Sequence, residues 1–362
     1  MNKEIIKKRI SAIHQEFRKR GIDCLIVANP ANVTYATGFM GADSWVMLTK
    51  KQTFLLTDSR YTEQAQKECA GCKIIMRANS EPIAQAAAKL IWHLKSVQVS
   101  KVRVEKSISL ACFEVLQRSM KTQLKTADGI IESFRSVKDG GEINCIRRAA
   151  SIAAKALAQT IRQVKPGMTE NELAGLLDYQ IRKLGATNGF DTIVAFGPNA
   201  SRPHHQPGGR ALKRNDTVLI DFGAKYKGYC CDITRCFAVG KSTAFYKRVF
   251  DVVEQAQAAA IKLVKAGVET IKIDVAAREV IAKSGLPVYE HGTGHGFGLE
   301  IHELPFLKAV TTDRLQAGEV ITVEPGVYIP GRLGVRIEDD VLVTETGCKI
   351  LTRSCPHEIS KS

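Results

Sequence analysis

The chain contains no run approaching the roughly 20 apolar residues that a membrane-spanning helix requires, so a helical membrane protein is excluded. Met1 to Arg9 is charged and holds no apolar stretch of signal-peptide length, which leads to the expectation of a soluble, cytoplasmic protein without a membrane partner. Aromatic residues make up only 6%, too few to suggest a stacking platform for nucleic acid. Blocks of about five or six like charges are also missing. Basic residues stand in ones and twos, as in Lys7-Lys8 and Arg147-Arg148, with Arg18-Lys19-Arg20 a rare triplet. The net charge of +15 therefore reads as a solvated basic surface, and no nucleic-acid partner is expected. Cysteine is not scarce, but a second CxxC pair is lacking. Cys69-Ala-Gly-Cys72 stands alone, so a four-cysteine zinc site is excluded, and the 10 scattered cysteines are expected to be reduced thiols.

What is present begins with length. A chain of 362 residues exceeds what one hydrophobic core usually serves, and two domains follow. In the first part, Ile6, Ile10, Ile13 and Phe17 recur at helical spacing before Gly21, a helix stop. Cys24 to Ala28 reads as a short strand, and Trp45–Leu48 with Thr53–Leu56 as a hairpin about Lys50-Lys51. Alternating helical and strand-like stretches predict an α/β domain over 1–134, without a chemical motif. Residues 135–142, with Gly140-Gly141, are expected to be a linker, and 143–362 the second domain.

The second part contains a repeat. Ala156, Ala158, Ile161, Val164, Lys165, Gly167, Ile181, Lys183 and Gly185 each recur as the same residue 100 positions later. Each copy reads as helix, glycine-containing turn, helix, and Thr169 with Glu172 predicts a capping box. After the first copy come His204, Asp221 and Asp232; after the second come His302, Glu324 and Glu338. Two halves that each supply a histidine and two acids predict a pseudo-twofold domain with its site on the axis.

The acids lie on apolar strands. Thr217-Val-Leu-Ile-Asp221-Phe and Tyr229-Cys-Cys-Asp232-Ile flank Lys225-Tyr-Lys-Gly228. A hairpin centred between Tyr226 and Lys227 would set Asp221 directly opposite Asp232. Two such carboxylates repel unless a cation lies between them. Glu319-Val-Ile-Thr-Val-Glu324 repeats the pattern, and Gly334 to Val343 carries Glu338, Asp339 and Asp340, among which periodicity does not choose. His291, His295 and His302 share a segment with glycine at every second position from Gly292 to Gly298. That pattern disfavours a helix and predicts close backbone approach. Carboxylates with an imidazole suit a pair of divalent ions, manganese by preference, with cobalt, iron or zinc as substitutes.

These residues resemble the pita-bread metallopeptidases, which include methionine aminopeptidase, aminopeptidase P and prolidase. The matching motifs are Pro203-His204, Asp221-Phe-Gly, Asp232-Ile-Thr-Arg235, Gly294-His295-Gly296, Ile301-His302-Glu303, Val323-Glu324-Pro-Gly326 and Val335-Arg-Ile-Glu-Asp339. Gly21-Ile-Asp-Cys-Leu-Ile-Val, Tyr35-Ala-Thr-Gly-Phe39 and Thr57-Asp-Ser-Arg-Tyr61 resemble the creatinase-type N-terminal domain that aminopeptidase P and prolidase share. The resemblance implies an α/β N-terminal domain followed by an α+β pita-bread catalytic domain. It implies metal ligation by Asp221, Asp232, His295, Glu324 and Glu338, with Asp232 and Glu338 bridging. Glu324 would relay a proton, His204 (rather than His205) and His302 would contact the scissile peptide, His291 would line the substrate pocket, and Arg336 would steady the bridging acids. The implied activity is removal of an N-terminal residue in front of proline, with an Xaa-Pro dipeptidase as the alternative and a non-enzymatic peptide binder as a remote one. The implied partners are a proline-containing peptide and a second copy of the chain.

Overall fold

A computed structural model describes residues 3–69 and 71–357, and the chain divides into two compact units, Met1–Arg135 and Ser136–Ser362. No described helix is long and apolar enough to cross a membrane.

The first unit is built on helices α1 (Lys3–Arg20), α2 (Pro30–Thr37), α3 (Thr62–Glu68), α4 (Ile83–His93), α5 (Leu110–Met120) and α6 (Ile130–Ser136). Its strands are β1 (Cys24–Val27), β2 (Trp45–Thr49), β3 (Thr53–Thr57), β4 (Lys73–Met76), β5 (Val102–Glu105) and β6 (Lys125–Ala127). They form one mixed sheet in the order β4-β3-β2-β1-β5-β6. The expected hairpin is present in register, with Trp45 opposite Leu56. Helix α1 buries Ile6, Ile13 and Phe17 and stops at Gly21, whose φ of 64° an L side chain resists. Beside them Arg9 is buried with its guanidinium over the Tyr35 ring, while Ile10 is only half-buried.

The second unit opens with α7 (Gly140–Ile161) and α8 (Glu170–Lys183), and after β7 (Thr187–Asn188), β8 (Ile193–Phe196), β9 (Thr217–Phe222), β10 (Ala224–Tyr226), β11 (Tyr229–Cys230) and β12 (Ile233–Ala238) come α9 (Ala244–Leu263) and α10 (Thr270–Lys283). Strands β13 (Gly294–Gly296), β14 (Glu303–Leu307), β15 (Val320–Val323), β16 (Gly326–Ile329), β17 (Leu333–Arg336), β18 (Asp339–Val343) and β19 (Cys348–Ile350) complete it. The stretch expected to be a linker is ordered differently. Asp139 caps α7 in a capping box with Glu142, so Gly140 and Gly141 form the first helical turn.

The repeat is visible in the backbone. Gly167 and Gly267 have φ of 91° and 83°, and Gly185 and Gly285 have 86° and 75°. The Thr169–Glu172 capping box is present as predicted. Strand β9 serves both helix pairs by alternation. Val218, Ile220 and Phe222 pack into the core with α7 and α8, whereas Leu219 joins the core of α9 and α10. Asp221 therefore shares the face of Leu219, the side turned towards the second half.

Candidate metal centre

The register of the acidic hairpin differs from expectation. Its turn is Lys227-Gly228, both at positive φ (49° and 88°), as a tight two-residue hairpin turn demands. Tyr226 thus pairs with Tyr229, and Asp221 lies opposite Thr234 instead of Asp232. The strand breaks at Cys231-Asp232 between β11 and β12. There the Asp232 backbone N–H leaves the ladder and donates to the buried Asp340 carboxylate at 3.2 Å. The two-residue offset preserves the face, and both acids line one cavity of about 280 Å³.

Into that cavity also project His204, His291, His295, His302, Glu324, Arg336 and Glu338. Asp232, His295 and Glu338 each offer a ligand atom, and these atoms all lie within 4.8 Å of one another. His295 Nε2 is 3.4 Å from Glu324 Oε1 and 3.7 Å from Asp232 Oδ2. On the other side of the ring, Nδ1 faces the Gly296 carbonyl at 3.0 Å, which leaves the Nε2 lone pair directed at the acids. The glycines around it are required. A Cβ on Gly294 would lie 2.0 Å from the Thr322 carbonyl oxygen, and one on Gly296 would lie 2.1 Å from that of Leu304.

Outer groups hold each acid. The Thr234 hydroxyl donates to Glu338 at 2.6 Å and receives Arg336 Nε at 3.0 Å. Arg336 pairs directly with Asp221 at 2.6 Å and donates to the Tyr328 hydroxyl at 2.8 Å. It therefore grips Asp221 itself and reaches Glu338 through the Thr234 hydroxyl. The Thr322 hydroxyl meets Glu324 at 3.2 Å. His291 Nε2 contacts Tyr328, a residue with no signal in the sequence beyond being a tyrosine.

The three consecutive acids diverge in direction. Asp339 turns away to Arg235 and His357, Asp340 takes the Asp232 N–H, and only Glu338 faces the cavity. His204 and His205 separate in the same way. His205 is buried against Glu170 at 2.9 Å, whereas His204 stands exposed on the cavity wall.

The electrostatics fit bound cations. Burial, then the neighbouring Glu338, Asp221 and Glu324 carboxylates, push the Asp232 pKa well above its ordinary value. Burial, Glu324 and Asp221 do the same to Glu338. Glu324 is pushed up to about 7, chiefly by burial. Burial lowers His295 and His302, which favours the neutral imidazole that can ligate or donate one N–H. Asp221 Oδ1 is buried without a hydrogen-bond partner. Such an oxygen, beside acids that cannot all ionise together, matches a divalent ion's needs.

Comparison with known proteins agrees. Residues 144–345 match the family described as Metallopeptidase family M24, and residues 9–137 match the Creatinase/Prolidase N-terminal domain. The Xaa-Pro dipeptidase of Pyrococcus horikoshii is 32% identical over 356 residues, 97% of this chain and 98% of that protein. The structure of an Xaa-Pro dipeptidase from Bacillus anthracis superimposes with a TM-score of 0.92 at 35% identity, covering 98% of this chain and 99% of that one. An X-Pro aminopeptidase from Thermotoga maritima gives 0.87 at 36% identity, covering 94% and 98%.

Proposed function

Because the chain belongs to metallopeptidase family M24, a hydrolase family acting on peptide bonds with the pita-bread fold, we propose that it removes the residue preceding proline from the N-terminus of peptides. The carrying observation is the convergence of Asp232, His295 and Glu338 within 4.8 Å, beside Asp221 and Glu324. In this reading Asp221, Asp232, His295, Glu324 and Glu338 would hold two divalent ions, and the oxygen-rich set favours manganese. Bound there, the ions supply Lewis acidity and an acidified water.

The remaining steps belong to the side chains. Glu324, on the cavity wall, takes a proton from the attacking water in this reading and carries it towards the prolyl nitrogen. His302, neutral at working pH, presents an N–H to the oxygen on which charge develops, with His204 across the cavity. Proline's amide has no N–H and a fixed φ, so its ring needs an apolar wall instead of an acceptor. Phe190, Ile193 and Phe306 provide that wall. His291, anchored through Tyr328 and Arg336, orients the substrate beside it.

A second reading, restriction to dipeptides, is favoured by Lys308. Its ammonium lies over the Phe306 ring on the cavity wall, and none of the ion pairs among the described residues involves it. The free carboxylate of an Xaa-Pro dipeptide would satisfy that charge. Metal analysis with hydrolysis of Gly-Pro and Gly-Pro-Ala tests both readings. Chelator-sensitive cleavage of Gly-Pro-Ala supports the aminopeptidase, and cleavage of Gly-Pro alone supports the dipeptidase. Chelator-insensitive hydrolysis would refute the metal scheme.

A further inference from the structure

Behind the metal centre lies a second set of buried polar groups that the reaction does not use. Its hub is Asp339, next to Glu338 but turned the other way. Asp339 receives Arg235 Nη2 at 2.7 Å, the Thr352 hydroxyl at 2.6 Å, Gln257 Nε2 at 3.1 Å and His357 Nε2 at 2.6 Å. Arg235, fully buried on β12, also donates to the backbone carbonyls of Glu338 at 2.6 Å, Thr234 at 3.0 Å and Cys355 at 2.5 Å. Gln257 on α9 reaches the carbonyls of Val323 at 3.2 Å and Ile337 at 3.3 Å. These contacts fall on the backbone of Glu338 itself and on the residues directly preceding Glu324 and Glu338. They also reach Thr234, whose hydroxyl holds the Glu338 carboxylate.

The last described segment closes the set. Leu351 donates its N–H to the Asp340 carbonyl at 2.8 Å, and Asp340 donates its own to Thr352 Oγ1 at 3.1 Å. These bonds carry the chain round so that His357 fits between Asp339 and Glu254, with Nδ1 at 3.0 Å from the Glu254 carboxylate. A histidine gripped by a carboxylate at each nitrogen is held in one orientation. Without it, Asp339 loses a charge-assisted partner, and its competition for Arg235 and Gln257 changes.

We infer that His357 is a positioning residue for the metal centre: through Asp339, Arg235 and Gln257 it sets the backbone from which Glu338 and Glu324 reach the ions. The inference rests on the metal reading above, and its test separates the two. The full-length chain, stripped of metal, is titrated with cobalt(II) and followed by its visible absorption. His357→Ala is expected to weaken binding about tenfold, the lower end for loss of an outer partner, and to alter the absorption bands. It should also lower kcat on Gly-Pro with KM unchanged. His357→Gln, whose amide N–H replaces Nε2–H, is expected to restore affinity. Wild-type affinity and spectrum in His357→Ala, with only a lower melting temperature, would overturn the inference and leave His357 a structural anchor. Failure of the wild type to bind cobalt would overturn the metal reading instead. Should His357→Ala not fold, Thr352→Val removes another donor to Asp339, together with the acceptor of the Asp340 N–H, at nearly constant volume. A several-fold loss of cobalt affinity supports the network, and unchanged affinity refutes it.

Discussion

The two halves of the second unit share a helical framework but hold their site loops by different chemistry. In the first half, Glu170 at the start of α8 gathers the N–H groups of Phe196 and Gly208, the Asn199 amide and the His205 ring, which frees His204 to face the cavity. In the second, Asp274 within α10 takes the Thr293 hydroxyl at 2.7 Å and pairs with Arg278. Arg278 then grips the carbonyls of Tyr289 and His291. Glu170 works through N–H groups alone; Asp274 also takes the Thr293 N–H at 3.3 Å but adds a cation, Arg278, that catches backbone carbonyls. The counterpart of Glu170 is Thr270 and that of Asp274 is Ala174, so neither device was copied. A duplicated scaffold thus fixes where loops start, and each loop has its own side-chain anchors.

The largest expected effect comes from removing a group both halves need. Asp232→Asn should cost more than the roughly hundredfold that loss of an outer partner costs, with metal content falling in parallel; a metal-free variant with full activity would break the scheme. Next come the two anchors. Asp274→Ala leaves Arg278 without its carboxylate partner, and Glu170→Ala leaves two N–H groups, the Asn199 amide and His205 without theirs, each costing about 3 kcal/mol in urea denaturation. Their kinetics should differ, with KM rising in the first, through His291, and kcat falling in the second, through His204. Identical kinetic signatures would erase the distinction between the halves.

A smaller effect is a pH trend in the metal-free chain. Glu324 is raised to about 7 when folded, from an ordinary 4.5. Between those values the unfolded chain binds fewer protons than the folded one, so stability falls as pH rises through the window. Asp232 and Glu338, raised in the same direction, add to the trend. Denaturation midpoints of the metal-free protein at pH 5 and 7 check this, and bound metal should abolish it. Smallest, Gly167→Ala and Gly267→Ala should each cost about 1–2 kcal/mol, because both sit at positive φ. Unequal losses would show that the turns are less equivalent than their backbones indicate.

Much of this architecture is legible in the order of residues. The hairpin of β2 and β3, the Thr169–Glu172 cap and the repeated glycine turns follow from local rules, since turn conformations and caps are set by neighbours in the chain. The alternate glycines correctly mark tight backbone approach at Gly294 and Gly296. The register of the acidic hairpin does not follow, because the positive φ at Lys227 offsets pairing by two residues. The linker reading yields to the Asp139 cap on α7 for a similar reason.

By itself, the sequence determined the helix repeat, the two acid-bearing strand pairs and the glycine-rich histidine segment, because period, capping and steric freedom are properties of short stretches. Only the tertiary structure decided that Glu338 and not Asp339 faces the cavity, that His205 turns back to Glu170, and that Arg336 grips Asp221. Those outcomes depend on partners a hundred residues away or more, or on which neighbour a buried charge finds, and no local rule contains that distance.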